Sequence, residues 1–583
     1  MIKAEKLTFG FDSTPLFQNI SFTLDENCHC ALIGSNGSGK TTLVNLLREP
    51  ENYTYDGKIK HEGVGRIGYV SQFAIREGDQ SVTVWDYLCR DFVALEEKIA
   101  EVCMQMESSE DMDAVMEQYQ ALLDESEAMD ADNYEVNIRR QLKLAELEGK
   151  EELRLDELSG GELKLVQVIR QMLRLPGLLI MDEPDVFLDF ENLKGLRDLI
   201  NSYKATMLVV THSRYLLSHC FDRIWHLENG DVQVFEGSFI EYNYLRLQKK
   251  IDDKIYSDAE QGRIDRVAAM VERMRDKASE VSEAQYGRAL RGKVSYLEHL
   301  IKQRIKIPFL EIREPEIRLP QIEEREEPTE LLRLENYSLS FEEKLLEQVN
   351  FSVSSGEKVA LVGANGTGKT SMLREIWKND NPAVHFSEEA KPAFFSQLHA
   401  EILNEKNSIY EEMYELGFET SVQVEAYLNN YCFDPDSLGR RVGVLSGGEK
   451  NLLQLAKLAA DEANILLLDE PSSHLDTFAQ IALENAIADY KGAVLMVSHD
   501  FYTIVNCADT ILFVEDGGIR AMSARAFRKM IYKKHFSKEY LELELQRKDL
   551  ETRIARCLEA GDCDEAQELC DRLAALVAQM QRV

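Results

Sequence analysis

At 583 residues the chain exceeds what one hydrophobic core normally serves, so at least two domains are expected. Its 44% apolar and 29% charged residues are ordinary globular composition, and no apolar run approaches the ~18 residues that cross a bilayer. A formal net charge of −36 excludes a general polyanion binder, so any nucleic-acid contact has to be local. The opening MIKAEKLTFGFD has no apolar export core, and the cytoplasm is the expected compartment. Ten cysteines without CxxC pairs suggest neither a disulfide framework nor a zinc site, and Cys28 and Cys30 read as packing residues on one face of a strand.

In chain order, ALIGSNGSGKTTL (31–43) predicts a strand, a glycine-rich loop and a helix, and it fits G-x-x-x-x-G-K-[ST]. Backbone N–H groups of Gly34, Ser35, Asn36, Gly37, Ser38 and Gly39 can converge on an anion, and the helix start at Lys40, Thr41 and Thr42 favours phosphate. Lys40 is expected to reach the β and γ phosphates of a nucleotide, and Thr41 to hold Mg²⁺. Gln72, ending the apolar run YVSQF, can touch the same metal or a water. Residues 90–137, rich in Glu, Met, Ala and Leu and without Pro or Gly, predict an acidic helical hairpin. Its acidic face is either solvated or a contact surface. A second glycine turn follows at Ser159, Gly160 and Gly161. The run LLIMDEP then delivers Asp182 to the mouth of a sheet, where it can support Mg²⁺, and Glu183 beside it to polarise a water. His212 ends MLVVTH, where an imidazole can hold γ phosphate and water in line.

From about Phe239 a helix of ~40 residues, reaching ~60 Å, is expected. Ile264, Val267, Ala268, Val271 and Met274 form its stripe, and Leu290, Val294, Leu297 and Ile301 form that of a returning helix, with the tip at 278–287. Residues 261–306 hold eleven Lys or Arg against six Asp or Glu, so this hairpin is the locally basic element. Arg273, Arg275, Lys277, Arg288, Arg291 and Lys293 near its tip either meet phosphates or only solvate a long helix pair. Four prolines in 307–328 predict an extended strap rather than a packed element.

The chain then says the same thing again. ALVGANGTGKTSM (360–372) supplies Gly363, Ala364, Asn365, Gly366, Thr367, Gly368, Lys369, Thr370 and Ser371, with Thr370 as the second metal-holding hydroxyl. FFSQL supplies Gln397, LSGGE supplies Ser446, Gly447 and Gly448, ILLLDEP supplies Asp469 and Glu470, and VLMVSH supplies His499. Ser159 to Glu183 and Ser446 to Glu470 are both 24 residues, and each Glu precedes its His by 29. A lone His at a strand end is more often structural; the repeated spacing favours a role in chemistry. Lys40 to Ser159 is 119 residues and Lys369 to Ser446 only 77, which locates the extra hairpin in the first copy. The tail from about Ser537 predicts two helices in a short coiled coil, with Ala566, Leu569, Leu573, Leu576 and Met580 in its seam and Cys557 beside them.

These motifs together resemble the ATP-binding cassette superfamily, and their arrangement resembles the ABC-F family of translation factors over nearly the whole chain. The resemblance implies an α/β fold: two P-loop cassettes joined by a helical hairpin, a helical arm in the first and a coiled-coil tail. The expected divisions are 1–238, 239–330, 331–535 and 536–583. It implies ATP and Mg²⁺, with Phe11 and Phe341 stacked on adenine. Ser446, Gly447 and Gly448 would cap the nucleotide on Lys40, and Ser159, Gly160 and Gly161 the one on Lys369. The implied partner is the ribosome, with rRNA and tRNA met by the basic linker, in a role that either tunes translation or displaces antibiotics. Departures are EPDVFLD and EPSSHLD for the family's EPTNHLD, with Phe187 in the first, and Ser213 where the second copy has Asp500. Two hydrolytic sites of unequal rate are therefore expected. A transporter motor with separate membrane subunits is the alternative; linker, arm and tail have no evident use there. A chromosome or repair ATPase lacks support without zinc-binding cysteines and very long coiled coils, and the iron–sulfur recycling factor is set aside because cassette sequence begins at residue 2.

Overall fold

The computed structural model describes residues 1–11, 14–72, 81–106, 112–186, 188–280, 293–294, 314–322, 328–340, 344–515, 517–535 and 538–580. The chain divides into two units, Met1–Glu236 with Ile312–Lys529, and Gly237–Glu311 with Met530–Val583.

In the first unit the sequence repeat is a structural repeat. The first copy contains β1 (Ile2–Phe11), β2 (Thr14–Leu24), β3 (His29–Ile33), β4 (Asp56–His61), β5 (Ile67–Val70), β6 (Leu178–Asp182), β7 (Thr206–Val210), β8 (Arg223–Glu228) and β9 (Asp231–Glu236). The second copy contains β10 (Glu330–Ser340), β11 (Lys344–Ser354), β12 (Lys358–Gly363), β13 (Val384–Phe386), β14 (Pro392–Phe395), β15 (Ile465–Asp469), β16 (Ala493–Val497), β17 (Thr510–Glu515) and β18 (Gly518–Ser523). Each copy has one antiparallel three-stranded sheet, β2-β1-β4 or β11-β10-β13, and one six-stranded sheet, β5-β6-β7-β3-β8-β9 or β14-β15-β16-β12-β17-β18. The larger sheets are parallel except for the last strand. Continuous apolar runs make this possible: every residue of β6, β7, β15 and β16 is buried. Because β5, β6, β7 and β3 are neighbours, the loops leaving their carboxyl ends share one crevice, where such sheets bind ligands.

Helices of the first copy are α1 (Lys40–Arg48), α2 (Val84–Met106), α3 (Met112–Ala128), α4 (Tyr134–Leu144), α5 (Gly160–Leu173), α6 (Phe190–Ser202) and α7 (Arg214–Cys220). The expected extra hairpin is α2 with α3. It starts earlier than its composition suggested, and its root is fixed where Arg170 and Arg174 of α5 both engage Asp91. Cys28 and Cys30 are buried in the core beside Trp225 and Phe22, as packing residues.

The strap departs from expectation. Residues 314–322 are extended but packed: Pro315, Ile317 and Leu319 are buried while Glu314, Glu316 and Arg318 face out. The Glu316 N–H donates to Asn430 O at 2.7 Å and the Tyr431 hydroxyl to Arg318 O at 3.3 Å, so the strap belongs with the second copy rather than with the linker. Proline removes amide donors without preventing period-two burial, which is how an irregular segment gains a buried edge.

In the second unit α8 (Phe239–Glu280) runs unbroken for 42 residues. The tail forms helices Lys538–Ala560 and Cys563–Met580, turned at Gly561 with φ of 78°. Its seam is a three-helix seam, not a two-helix coiled coil: Ile240 and Ile251 of α8 join Ile554, Leu569, Leu573 and Val577. Cys570 is buried there and Cys557 is half-buried at its margin. Of the returning linker helix, Lys293 and Val294 are helical; Leu290, Leu297, Ile301, Arg288 and Arg291 lie outside the described residues.

Candidate active site

Both glycine loops end at a helix whose N-cap is glycine in the left-handed region, Gly39 (φ 98°) before α1 and Gly368 (φ 88°) before Lys369–Lys378. Neither cap has a side chain to accept the first amides, which leaves those N–H groups to an anion. Only glycine fits: a Cβ on Gly39 would stand 2.8 Å from Leu16 Cδ2, and one on Gly368 2.8 Å from Leu339 Cδ2. Lys40 Nζ donates to Gly34 O (3.0 Å) and Ser35 O (2.9 Å), and Lys369 Nζ to Gly363 O (3.0 Å) and Ala364 O (2.6 Å). Burial pushes both ammonium groups below the usual lysine range, so each is a desolvated cation at the mouth of an amide cradle.

The carboxylates converge from the neighbouring strands. Thr370 donates to Asp469 Oδ1 at 2.8 Å, and Thr41 to Asp182 in the same manner. The remaining oxygens, Asp182 Oδ1 and Asp469 Oδ2, are buried and have no hydrogen-bond partner among the described residues. A hydroxyl and an orphaned carboxylate oxygen side by side are part of an oxygen ligand set for a hard cation that keeps most of its water. Glu183 and Glu470 follow with positive φ (45° and 51°), each pinned by its N–H to the adjacent strand, Val210 O and Val497 O, at 2.9 Å. Burial raises Glu183 to about 7, opposed by Lys40, and Glu470 to about 8.

What holds each glutamate differs. Gln72 Nε2 donates to Glu183 Oε2 at 2.7 Å, and His212 Nε2 stands 4.0 Å from Oε1. In the second copy the His499 N–H donates to Glu470 Oε2 at 3.1 Å, and His499 Nε2 is 3.5 Å from Oε1. Burial keeps both imidazoles neutral, His499 being pulled down to about 3. The first site is thus braced by a side-chain amide, the second by backbone.

Each glycine turn lies against the opposite copy's glycine loop. A cleft of about 680 Å³ joins Asn365, Gly366, Gly368, Lys369, Thr370, Ser371, Gln397, Glu470 and His499 of the second copy to Gly160, Gly161, Asp185 and His212 of the first. Across the other junction, Asn36 Nδ2 donates to His474 O at 2.7 Å and Asn36 N to Asp476 Oδ2 at 3.3 Å. A Cβ on Gly448 would lie 1.8 Å from Asn36 Nδ2 and 2.7 Å from His474 O, so a larger residue here would have to push the Asn36 side chain out of this junction. The Ser and Glu of the turn are explained locally: Ser159 with Glu162, and Ser446 with Glu449, form capping boxes that hold the following helices in place.

Phe11 is 59% exposed and meets the Phe9 ring edge-on at 5.2 Å, and Phe341 and Phe187 lie outside the described residues. Sequence reasoning missed Leu345, Asp185 and His474, which line the cleft. Asp185 stands at a departure from EPTNHLD, which was the available signal; His474 keeps that motif's histidine, and Leu345 carried no signal.

Residues 17–186 and 346–473 match the family described as ABC transporter. The chain belongs to this family. It is a twin-cassette ABC ATPase, with the matched segments spanning both glycine loops and both acidic strand ends. It is 27% identical over 530 residues to the Energy-dependent translational throttle protein EttA of Escherichia coli (strain K12), covering 86% of this chain and 90% of that one. It is also 27% identical over 531 residues to ABC transporter F family member 5 of Arabidopsis thaliana, covering 88% and 75%. A solved structure titled RNase-L Inhibitor shares the fold, with TM-score 0.50 and 19% identity over 91% of this chain and 92% of the other. Among the described residues no helix is long and apolar enough to cross a membrane.

Proposed function

We propose that the chain is a ribosome-bound factor of the ABC-F kind, which uses two ATP sites shared between its cassettes to modulate translation from the tRNA exit region. The observation that carries the reading is the cleft built from the glycine loop of one cassette and the glycine turn of the other. A nucleotide in such a cleft bonds to both walls, so loading favours the joined cassettes and hydrolysis releases them. Lys40 and Lys369 neutralise the terminal phosphates while the amide cradles orient them. Glu183 and Glu470, once ionised, accept a proton from the attacking water, and His212 and His499 hold water and phosphate in line. Thr41 with Asp182, and Thr370 with Asp469, would hold Mg²⁺, which when bound offsets charge on the phosphates. Similarity to a protein named for throttling translation supports the ribosomal reading, as does a locally basic hairpin in a chain of net charge −36.

The test is co-sedimentation of a Glu183→Gln, Glu470→Gln double variant with ribosomes. With ATP the variant should stay bound and arrest protein synthesis in an extract. Absence of ATP-dependent binding, or capture of membrane subunits in its place, overturns the proposal.

A further inference from the structure

The two switch segments, THSRY and SHDFY, differ at the two positions after the histidine, and the structure gives this difference a use. Arg214, two residues beyond His212, crosses to the second cassette. Its Nη1 donates to Glu484 Oε2 (3.3 Å), and its Nη2 donates both to Glu484 Oε1 and to Asp500 Oδ2 (3.0 Å). The guanidinium also covers the ring of Tyr502 at 4.8 Å. Side chains of Arg214 and Glu484 are 11% and 4% exposed, so this is a desolvated, forked pairing rather than a surface ion pair.

The pairing bears on the second site through a short chain of bonds. Asp500 caps the helix Phe501–Cys507 through Tyr502 N (3.0 Å) and takes the Thr503 hydroxyl on the oxygen that Arg214 holds (2.8 Å). Asp500 adjoins His499, whose N–H is the 3.1 Å brace on Glu470. Among the described residues no equivalent arginine crosses from the second cassette to the first site's switch segment. Phe501 stands where Arg214 would recur, Arg197 stands where Glu484 would recur, and Ser213 replaces Asp500. Phe501 instead meets Phe190 at 5.7 Å.

We propose that Arg214 of the first cassette is a positioning residue for the second ATP site: gripping Asp500 and Glu484, it fixes the His499 backbone that orients Glu470, with no counterpart serving Glu183. This inference rests on the reading of Glu470 as the group that accepts the water's proton. It makes the second site dependent on its neighbour for alignment as well as for the glycine turn.

The test isolates each site. In a Glu183→Gln background, where only the second site turns over, Arg214→Met should lower kcat about tenfold or more with little change in KM, in the range of lost supporting contacts. In a Glu470→Gln background the same change should alter the remaining rate less than about twofold. Arg214→Lys, which keeps charge but not the fork, should recover only part of the loss. Equal losses at both sites, or loss at neither, overturn the proposal. If Arg214→Met fails to fold with Glu484 left unpaired, the pair Arg214→Met, Glu484→Met replaces the buried charges together and must show the same one-sided loss. If Glu183→Gln and Glu470→Gln each leave turnover intact without Arg214 being touched, the site reading itself fails, separately from the role of Arg214.

Discussion

At the scale of single residues the proposed chemistry depends on two acids, Glu183 and Glu470, that burial holds above the usual carboxylate range. Burial raises Glu183 to about 7 and Glu470 to about 8, and a proton acceptor works only when ionised. The sign follows: below these values the groups are neutral and inert, and above them they are ionised and competent. The kcat/KM for ATP should therefore rise through the neutral range and level off only above about pH 9. In the Glu183→Gln background the remaining limb should sit higher than in the Glu470→Gln background; limbs at the same pH would contradict the two environments. Lysines and hydroxyls of the sites were legible in the sequence because they end a glycine loop, and carboxylates and histidines because they end apolar runs, twice, with the second pair at fixed spacing. The brace on each glutamate was not. Gln72 and Gln397 occupy equivalent places in the repeat, yet Gln72 bonds Glu183 whereas backbone of His499 bonds Glu470. Backbone donors leave no mark in a side-chain pattern.

At the scale of elements, patterns with one period were read well and segments with shared partners less so. The arm of α2 and α3 and the hairpin of the tail follow from 3.6-residue periodicity, and α8 does so over its stripe from Ile264 to Met274 although Gly262 lies inside the helix. What periodicity could not give was how many helices share the tail's seam, because Ile240 and Ile251 lie some 300 residues away in sequence. The strap was misread for a related reason: its prolines argued for an exposed extended segment, whereas alternate side chains are buried. If that burial matters, Leu319→Ala should cost about 2 kcal/mol, the low end for a leucine truncation, read as a lower denaturation midpoint. Glu314→Ala, at an exposed strap position, should cost less than about 0.5 kcal/mol.

Across the whole molecule the governing facts are an internal duplication and an uneven distribution of charge. Duplication made the fold class legible, since two motif sets at common spacing cannot be accidental. What it hid is what the divergence between copies does: Arg214 against Phe501 and Arg197 against Glu484 can be read by aligning the halves, but the pairing of Arg214 with Glu484 and Asp500 shows only where the halves touch. The charge distribution carries its own expectation for the proposed ribosome complex. Retention of the double glutamine variant should weaken as salt rises from about 50 to about 200 mM, through release of counterions from RNA. Replacing Arg273, Arg275 and Lys277 by Gln should flatten the log–log slope by about 2 to 3 if each meets a phosphate. An unchanged slope would assign the interaction to another surface. Finally, Glu183 and Glu470, proposed to accept the water's proton, hold a backbone shape that Asn or Gly would enter at less cost. Durability and turnover are therefore opposed at two positions in every molecule. A selection for heat resistance alone would drift toward sturdier chains that bind fuel and never burn it.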